Sequence, residues 1–335
     1  MLIEPGRIEV REVDEPRPGS RDASVRIRAV GICGTDLSIF RGKIPVAYPR
    51  IIGHEMVGQV LTSADGAPPP GTRVIVDPNV ACLRCARCRE GRANLCAQGW
   101  LLGRDRDGAL RETVVVPAEN LHRLPEDVPD HVAPVIQVLT TVIHGQRRVP
   151  IFPGETVVVV GLGVTGLLHV QVAKLRGANL VVGTTRSPER LALARALGAD
   201  VVVPADVPDV EDRIRDAMGG GADVAIESAG TSGTLGLAMR VTRSGGRVLS
   251  YGTIAQQTNP LPLYDLYYKE LEIVAARAAQ AEDYPVALGA VASGSVRLEP
   301  LVARRVSLGA VGETLAEGSV SGLKTVVEVA GSHLG

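Results

Sequence analysis

Thr156-Val157-Val158-Val159-Val160-Gly161-Leu162-Gly163-Val164-Thr165-Gly166 is the stretch that decides the fold. Its apolar run suits a parallel strand covered on both faces. Glycines follow at 161, 163 and 166, and a helical pattern continues through Ala173 and Leu175. A strand, a glycine turn and a helix in that order open a dinucleotide-binding βαβ unit. Gly161 permits the tight turn, Gly163 lets the backbone approach a pyrophosphate, and Gly166 allows close helix packing. The helix N-terminus at Val164 then favours phosphate charge.

Further along the chain, the theme repeats. Asn179 to Gly183, Val201–Val203, Asp223–Glu227 and Arg247–Tyr251 read as strands, with helical stretches between them. Ser187 is placed as an N-cap with Pro188 at the first helical position. Alternating strand and helix predicts an α/β fold with a doubly wound parallel sheet. The end of the second strand selects the dinucleotide. An NAD site puts an acidic residue about twenty positions after the glycines. Thr185 stands there, followed by Arg186, with Arg190 a turn further on. A hydroxyl and guanidinium groups suit a 2′-phosphate, which predicts NADP(H) over NAD(H).

Before residue 153 the texture is different. Ile8–Val13 and Ser24–Val30 alternate apolar with polar, as half-buried strands do, and Arg73–Val76 is a further short strand. Proline- and glycine-rich runs at 15–19 and 67–71 read as loops between them. A β-rich domain is expected here.

Four of the five cysteines fall within fifteen residues, as Cys82-x2-Cys85-x2-Cys88-x7-Cys96. Such spacing lets one loop wrap a zinc ion with a complete thiolate shell, which is a structural site. Cys33 stands apart, about twenty residues before Gly53-His54-Glu55. A thiolate and an imidazole converging on one cation would leave room for further ligands, as a catalytic zinc requires.

Ile32-Cys33-Gly34-Thr35-Asp36 and Ile52-Gly53-His54-Glu55-Met56-Val57-Gly58 resemble the catalytic-zinc segments of the zinc-dependent medium-chain alcohol dehydrogenases. The resemblance extends over most of the chain in the family's motif order. It implies a GroES-like catalytic domain at 1–142 and 287–335, with a structural-zinc lobe near 77–100. A Rossmann cofactor domain would occupy 143–286. It implies two zinc ions per chain and a third catalytic ligand at the helix entering the cofactor domain. There Gln137-Val138-Leu139 stands where the polyol-dehydrogenase branch reads Glu-Pro-Leu, so Gln137 is the expected ligand and Glu55 a further one. Thr35 matches the family's hydroxyl relay. Ser38 stands where several relatives carry a histidine, either contacting substrate or leaving the relay to water. His144, seven residues beyond Gln137, is read as a packed core or hinge residue. His122, His131, His169 and His333 have no metal-like context.

The segments Tyr48–Glu55, Val76-Asp77-Pro78 and Arg106–Glu112 are similar to the sorbitol, threonine and hexonate dehydrogenase branch. That similarity implies a polyol, sugar or sugar-acid substrate, exchanged between secondary alcohol and ketone, and a homodimer or homotetramer. The rival reading is a non-catalytic nucleotide-binding relative keeping only the structural zinc, which predicts cofactor binding without turnover.

The formal net charge of −1 gives no field to recruit nucleic acid or an anionic membrane. Aromatic residues at 3% supply no base-stacking platform. No basic start followed by an apolar run marks a signal peptide, and no stretch approaches the roughly 20 apolar residues of a bilayer span. A cytoplasmic protein is expected.

Overall fold

A computed structural model describes residues 1–64, 66–318 and 322–329. His333 lies outside them. The chain divides into two compact units. One comprises Met1–Thr140, Gln280–Ser293 and the segment from Leu298; the other comprises Thr141–Ala279 with Gly294–Arg297.

The second unit is built on a parallel six-stranded sheet. Across the sheet run Val201–Pro204, Leu180–Thr185, Thr156–Val160, Ala222–Glu227, Thr242–Ser250 and Glu272–Ala275. In chain order that is 3-2-1-4-5-6, the doubly wound arrangement. Val157, Val158, Val182, Val224, Ala225 and Ile226 are fully buried, so the apolar run lies in the middle of the sheet, as its composition demands. The helix Val164–Leu175 follows the first strand directly. In the helix Pro188–Ala196, Ser187 Oγ accepts from the Arg190 amide at 3.3 Å and Pro188 opens the first turn. The last strand, Glu272–Ala275, was not expected. It is a four-residue edge strand and mostly exposed, so its short apolar stretch is not set off as a buried strand.

The first unit carries a seven-stranded sheet. Val302–Ser307 pairs in parallel with Lys324–Glu328. Antiparallel pairing then continues through Asp22–Gly31, Glu55–Thr62, Arg73–Val76 and Leu121–Arg123, and Thr113–Pro117 also joins Asp22–Gly31. Its core gathers Leu2, Val25, Val30, Ile52, Met56 and Val74. The alternation at Ile8–Val13 does not give a strand beyond Arg7–Ile8. Val10 and Val13 are exposed, so the pattern has no core to face. The fold is α/β, a β-rich unit joined to a doubly wound one. Among the described residues no helix is long and apolar enough to cross a membrane.

Candidate active site

Cys33 ends the turn after Asp22–Gly31 and caps the helix Gly34–Phe40. His54 directly precedes, and Glu55 opens, the strand Glu55–Thr62, which pairs with Asp22–Gly31 so that Gly31 lies opposite Glu55. This pairing brings one ligand atom from each of Cys33, His54 and Glu55 within 4.8 Å of one another. Gly53 takes the sharp bend before them at φ +96°, and a Cβ there would lie 2.9 Å from Leu110. A thiolate, an imidazole and a carboxylate together form a donor set that fits zinc.

Two buried side chains behind this cluster were not singled out from the sequence. The Asp36 carboxylate accepts from the amides of Cys33 (2.9 Å) and Gly53 (3.1 Å), and its Oδ1 lies 3.4 Å from His54 Nδ1. Holding Nδ1 toward a carboxylate leaves Nε2 for a cation and fixes the ring. Burial opposes ionisation of Asp36, but His54 and the two amides outweigh it and hold its carboxyl below the usual range. His54 itself is desolvated, yet Asp36 and Cys33 raise it well above an ordinary imidazole. The pattern Cys33-x-x-Asp36 is an N-cap with an acid three residues on, and that local signal could have found Asp36.

The second is Lys324. Its Nζ lies 2.9 and 2.7 Å from the two Glu55 oxygens and 3.1 Å from the Ile32 carbonyl. Lys324–Glu328 and Glu55–Thr62 flank the same central strand, and Gly31 stands between the two side chains. A Cβ on Gly31 would lie 2.3 Å from Glu55 Oε2 and 3.3 Å from Lys324 Cδ. Glycine at that position therefore makes room for an ion pair across the sheet. Burial disfavours the ammonium, but Glu55 and Cys33 outweigh it and hold Lys324 above its ordinary value.

Thr35 and Ser38 lie three apart on the helix Gly34–Phe40, on one face and half-buried. Gln137 is buried on the helix Pro134–Arg148, and its Oε1 accepts a hydrogen bond from the Tyr284 hydroxyl. One lone pair of that oxygen is thus committed, and one remains for a cation. Tyr284 is fully buried, stacks on His122 at 4.0 Å, and has the Asp77 carboxyl beside its hydroxyl. Burial pushes Asp77 up to about 6 and His122 down to about 4.

Cys82, Cys85, Cys88 and Cys96 converge within 4.8 Å, all half-buried. The hairpin Asn79–Val80 with Trp100–Leu101 closes the base of their loop. Amides already point at sulfur: Cys82 N lies 3.2 Å from Cys96 Sγ and Cys85 N 3.4 Å from Cys82 Sγ. Four thiolates fill a tetrahedron and leave no open position.

In the other unit, Gly161 has φ +96°, and a Cβ on Gly166 would lie 1.9 Å from the Gly161 carbonyl oxygen. Gly163 caps the helix that Val164 opens, so its first amides face the turn. Thr185 ends the second strand, buried; Arg186 follows it, exposed; and Arg190 Nε has no hydrogen-bond partner among the described residues. These residues fit the pyrophosphate and ribose of a dinucleotide.

A doubly wound cofactor unit, a thiolate–imidazole–carboxylate cluster with two buried members and a four-thiolate loop together define a zinc-dependent dehydrogenase. Comparison with known proteins agrees. The alcohol dehydrogenase GroES-like domain family matches residues 19–126, and the zinc-binding dehydrogenase family matches 153–293. L-galactonate-5-dehydrogenase of Escherichia coli K12 is 30% identical, over 93% of this chain and 92% of its own. Sorbitol dehydrogenase of Halalkalibacterium halodurans is 29% identical over 90% of each. A structure from Sinorhizobium meliloti 1021, described as a zinc-binding dehydrogenase bound to NADP, superposes with a TM-score of 0.89 at 32% identity, covering 98% of this chain and 97% of that one. The chain belongs to the zinc-dependent medium-chain alcohol dehydrogenases and is an enzyme, an oxidoreductase with a GroES-like and a Rossmann part.

Proposed function

We propose that this enzyme interconverts a secondary alcohol and a ketone on a polyol, sugar or sugar acid, using NADP(H), in the cytoplasm. The convergence of Cys33, His54 and Glu55 on one point is the observation that carries this reading. Cys33, His54 and Glu55, with Gln137, would hold a catalytic zinc, and Cys82, Cys85, Cys88 and Cys96 a structural one. Zinc there supplies a Lewis acid for the substrate oxygen. Asp36 keeps the His54 ring aimed, and Lys324 holds the Glu55 carboxylate. The Thr35 hydroxyl, beside the cluster in sequence, offers the alcohol proton its first way out, with Ser38 one turn further along the same helix face. Gly161, Gly163, Val164 and Gly166 would cradle the pyrophosphate, and Thr185, Arg186 and Arg190 the 2′-phosphate.

The exposed edge strand Glu272–Ala275, next in sequence to the exposed Tyr264, Tyr267 and Tyr268, supports self-association as a dimer or tetramer. The function is tested by counting zinc in protein purified without chelator, then screening polyols and keto-sugars with NADP and NADPH. Two zincs per chain and turnover on a vicinal hydroxy-ketone are expected; one zinc and no turnover would refute the reading. Arg186→Ala should weaken NADP binding about tenfold, one charge-assisted contact's worth, and leave NAD binding within about twofold. Equal effects on both would assign the 2′-phosphate elsewhere.

A further inference from the structure

Three turns interlock at the carboxyl ends of the central strands of the parallel sheet, and one buried carboxylate sits in the middle of them. Glu227 ends the strand Ala222–Glu227 and is fully buried. Its Oε1 accepts three hydrogen bonds from the turn and helix that follow: from Ala229 N at 2.8 Å, Gly230 N at 2.7 Å and Thr234 Oγ1 at 2.8 Å. Its backbone oxygen accepts from Tyr251 N and Gly252 N, both at 3.0 Å, in the turn after the neighbouring strand Thr242–Ser250. Among the described residues Oε2 has no hydrogen-bond partner, and it faces Gly252, where a Cβ would lie 2.6 Å from it and 2.4 Å from Gly230 N. On the opposite side Ala229 abuts the nucleotide turn, since a Cβ on Gly161 would lie 2.8 Å from it. Ser228 N bonds Val160 O at 2.8 Å, and its hydroxyl meets Thr165 Oγ1 at 2.7 Å.

The place of this knot in the sheet gives it meaning. Thr185, followed by Arg186, ends the strand on one side of Thr156–Val160; on the other, Glu227 ends one strand and Tyr251-Gly252 follow the end of the next. A dinucleotide with its pyrophosphate on the Gly161–Gly166 turn and its adenosine ribose at Thr185 must send its other half toward Glu227. Stability alone is a poor reason for the carboxylate, because burying one with an oxygen unpartnered is costly.

We infer that Glu227 is a positioning residue for the nicotinamide half of the cofactor. Through Oε1 it fixes the backbone of Ala229 and Gly230 against Gly252 and sets the surface on which that half rests. The inference depends on the reading of this chain as a nicotinamide-dinucleotide enzyme.

The test compares two ligands on Glu227→Ala and Glu227→Gln: NADPH, titrated by its fluorescence, and adenosine 2′,5′-bisphosphate, titrated by calorimetry. Glu227→Ala should weaken NADPH about tenfold or more, as losing an acceptor shared by three donors implies, and leave the bisphosphate within about twofold. Glu227→Gln keeps Oε1 and should restore NADPH to within about threefold of wild type. Should Glu227→Ala fail to fold, Thr234→Val removes one donor only, and about threefold weaker NADPH with unchanged bisphosphate is expected. Equal weakening of the two ligands, or unchanged NADPH binding, overturns the inference. Wild-type protein that binds neither NADPH nor NADH refutes the cofactor reading itself, whereas wild-type binding with Glu227→Ala unaffected refutes the role of Glu227 alone.

Discussion

The two clusters of metal-type ligands are built on opposite principles. The four-thiolate loop takes every ligand from fifteen consecutive residues, leaves them half-buried, and draws its support from local amides. The Cys33–His54–Glu55 cluster has three chemically different donors, two of them buried, and is braced by Lys324, 269 residues away from Glu55 in the chain. A closed shell of identical ligands can only hold. A mixed set, each member separately aimed, leaves a position for chemistry. The first centre should therefore respond to damage as a stability element and the second as a catalytic one.

The sharpest way to break this contrast is a matched pair of ligand substitutions. Cys33→Ser should remove one zinc per chain and lower turnover by at least about 1000-fold, the effect of about 4 kcal/mol on the barrier. Its unfolding temperature should stay near wild type. Cys88→Ser should also remove one zinc, but turnover of the folded protein should stay within about tenfold. Its unfolding temperature should fall by about 5 °C, the shift that about 2 kcal/mol gives. Elemental analysis, steady-state rates and thermal unfolding on the two variants decide it, and the contrast fails if both lose activity alike.

Lys324→Met probes the brace. Removing one partner of a buried ion pair costs roughly 3–5 kcal/mol, because the remaining charge has no counterion. If Glu55 also binds zinc, the metal takes over that charge. Urea unfolding should then show the full loss in chelator-treated protein and a clearly smaller one in the zinc-loaded form. An equal loss in both forms would mean that Glu55 serves Lys324 alone.

This asymmetry also explains how far the sequence could be read. The glycine turn and the cysteine loop are local patterns, with spacing set by backbone geometry, and both are visible as strings of residues. Lys324 is not, because its meaning depends on which strand lies beside Asp22–Gly31 and on Gly31 leaving space between them. Tyr284 meets Gln137, and Asp77 meets Tyr284, by the same long-range route. At Ile8–Val13 the failure runs the other way, since alternation without a partner strand has nothing to bury. Asp36 is the exception, since it follows Thr35 directly and stands three residues after the N-cap Cys33, a local pattern visible in the sequence itself.

Asp77 tests the neighbourhood of the thiolate loop, since it precedes the hairpin that carries it and accepts from Asn79 N at 2.9 Å. Burial raises its folded value from 3.8 to about 6, so between those limits the folded state holds more protons than the unfolded one. Stability from this group is therefore greatest below pH 4 and declines as pH rises toward 6, by roughly 3 kcal/mol at most. Asp77→Asn should flatten that segment of the stability–pH curve while leaving zinc content at two per chain. A curve that still falls between pH 4 and 6 in the variant would place the titrating group elsewhere.

The finest discrimination comes from Asp36→Asn, which preserves shape and touches no metal ligand except through hydrogen bonds. The Asp36 carboxylate accepts hydrogen bonds from the amides of Cys33 and Gly53 and faces the Nδ1 side of His54 at ion-pair distance. Asparagine offers one oxygen and one NH2 group, so at least one of these donors must face another donor. The two backbone bonds hold the segments that carry Cys33 and His54, and the contact with His54 sets which imidazole nitrogen is free. Losing any of them loosens the ligand geometry without emptying the site, and substitutions of this kind typically cost about 10–100-fold in metal affinity. Zinc affinity of the open centre, measured by competition with a chromophoric chelator, should fall by that amount while the four-thiolate loop keeps its ion. An affinity unchanged within about threefold would show that His54 is aimed by packing alone, and the contrast between an aimed site and a closed one would rest on Lys324 and Glu55 only.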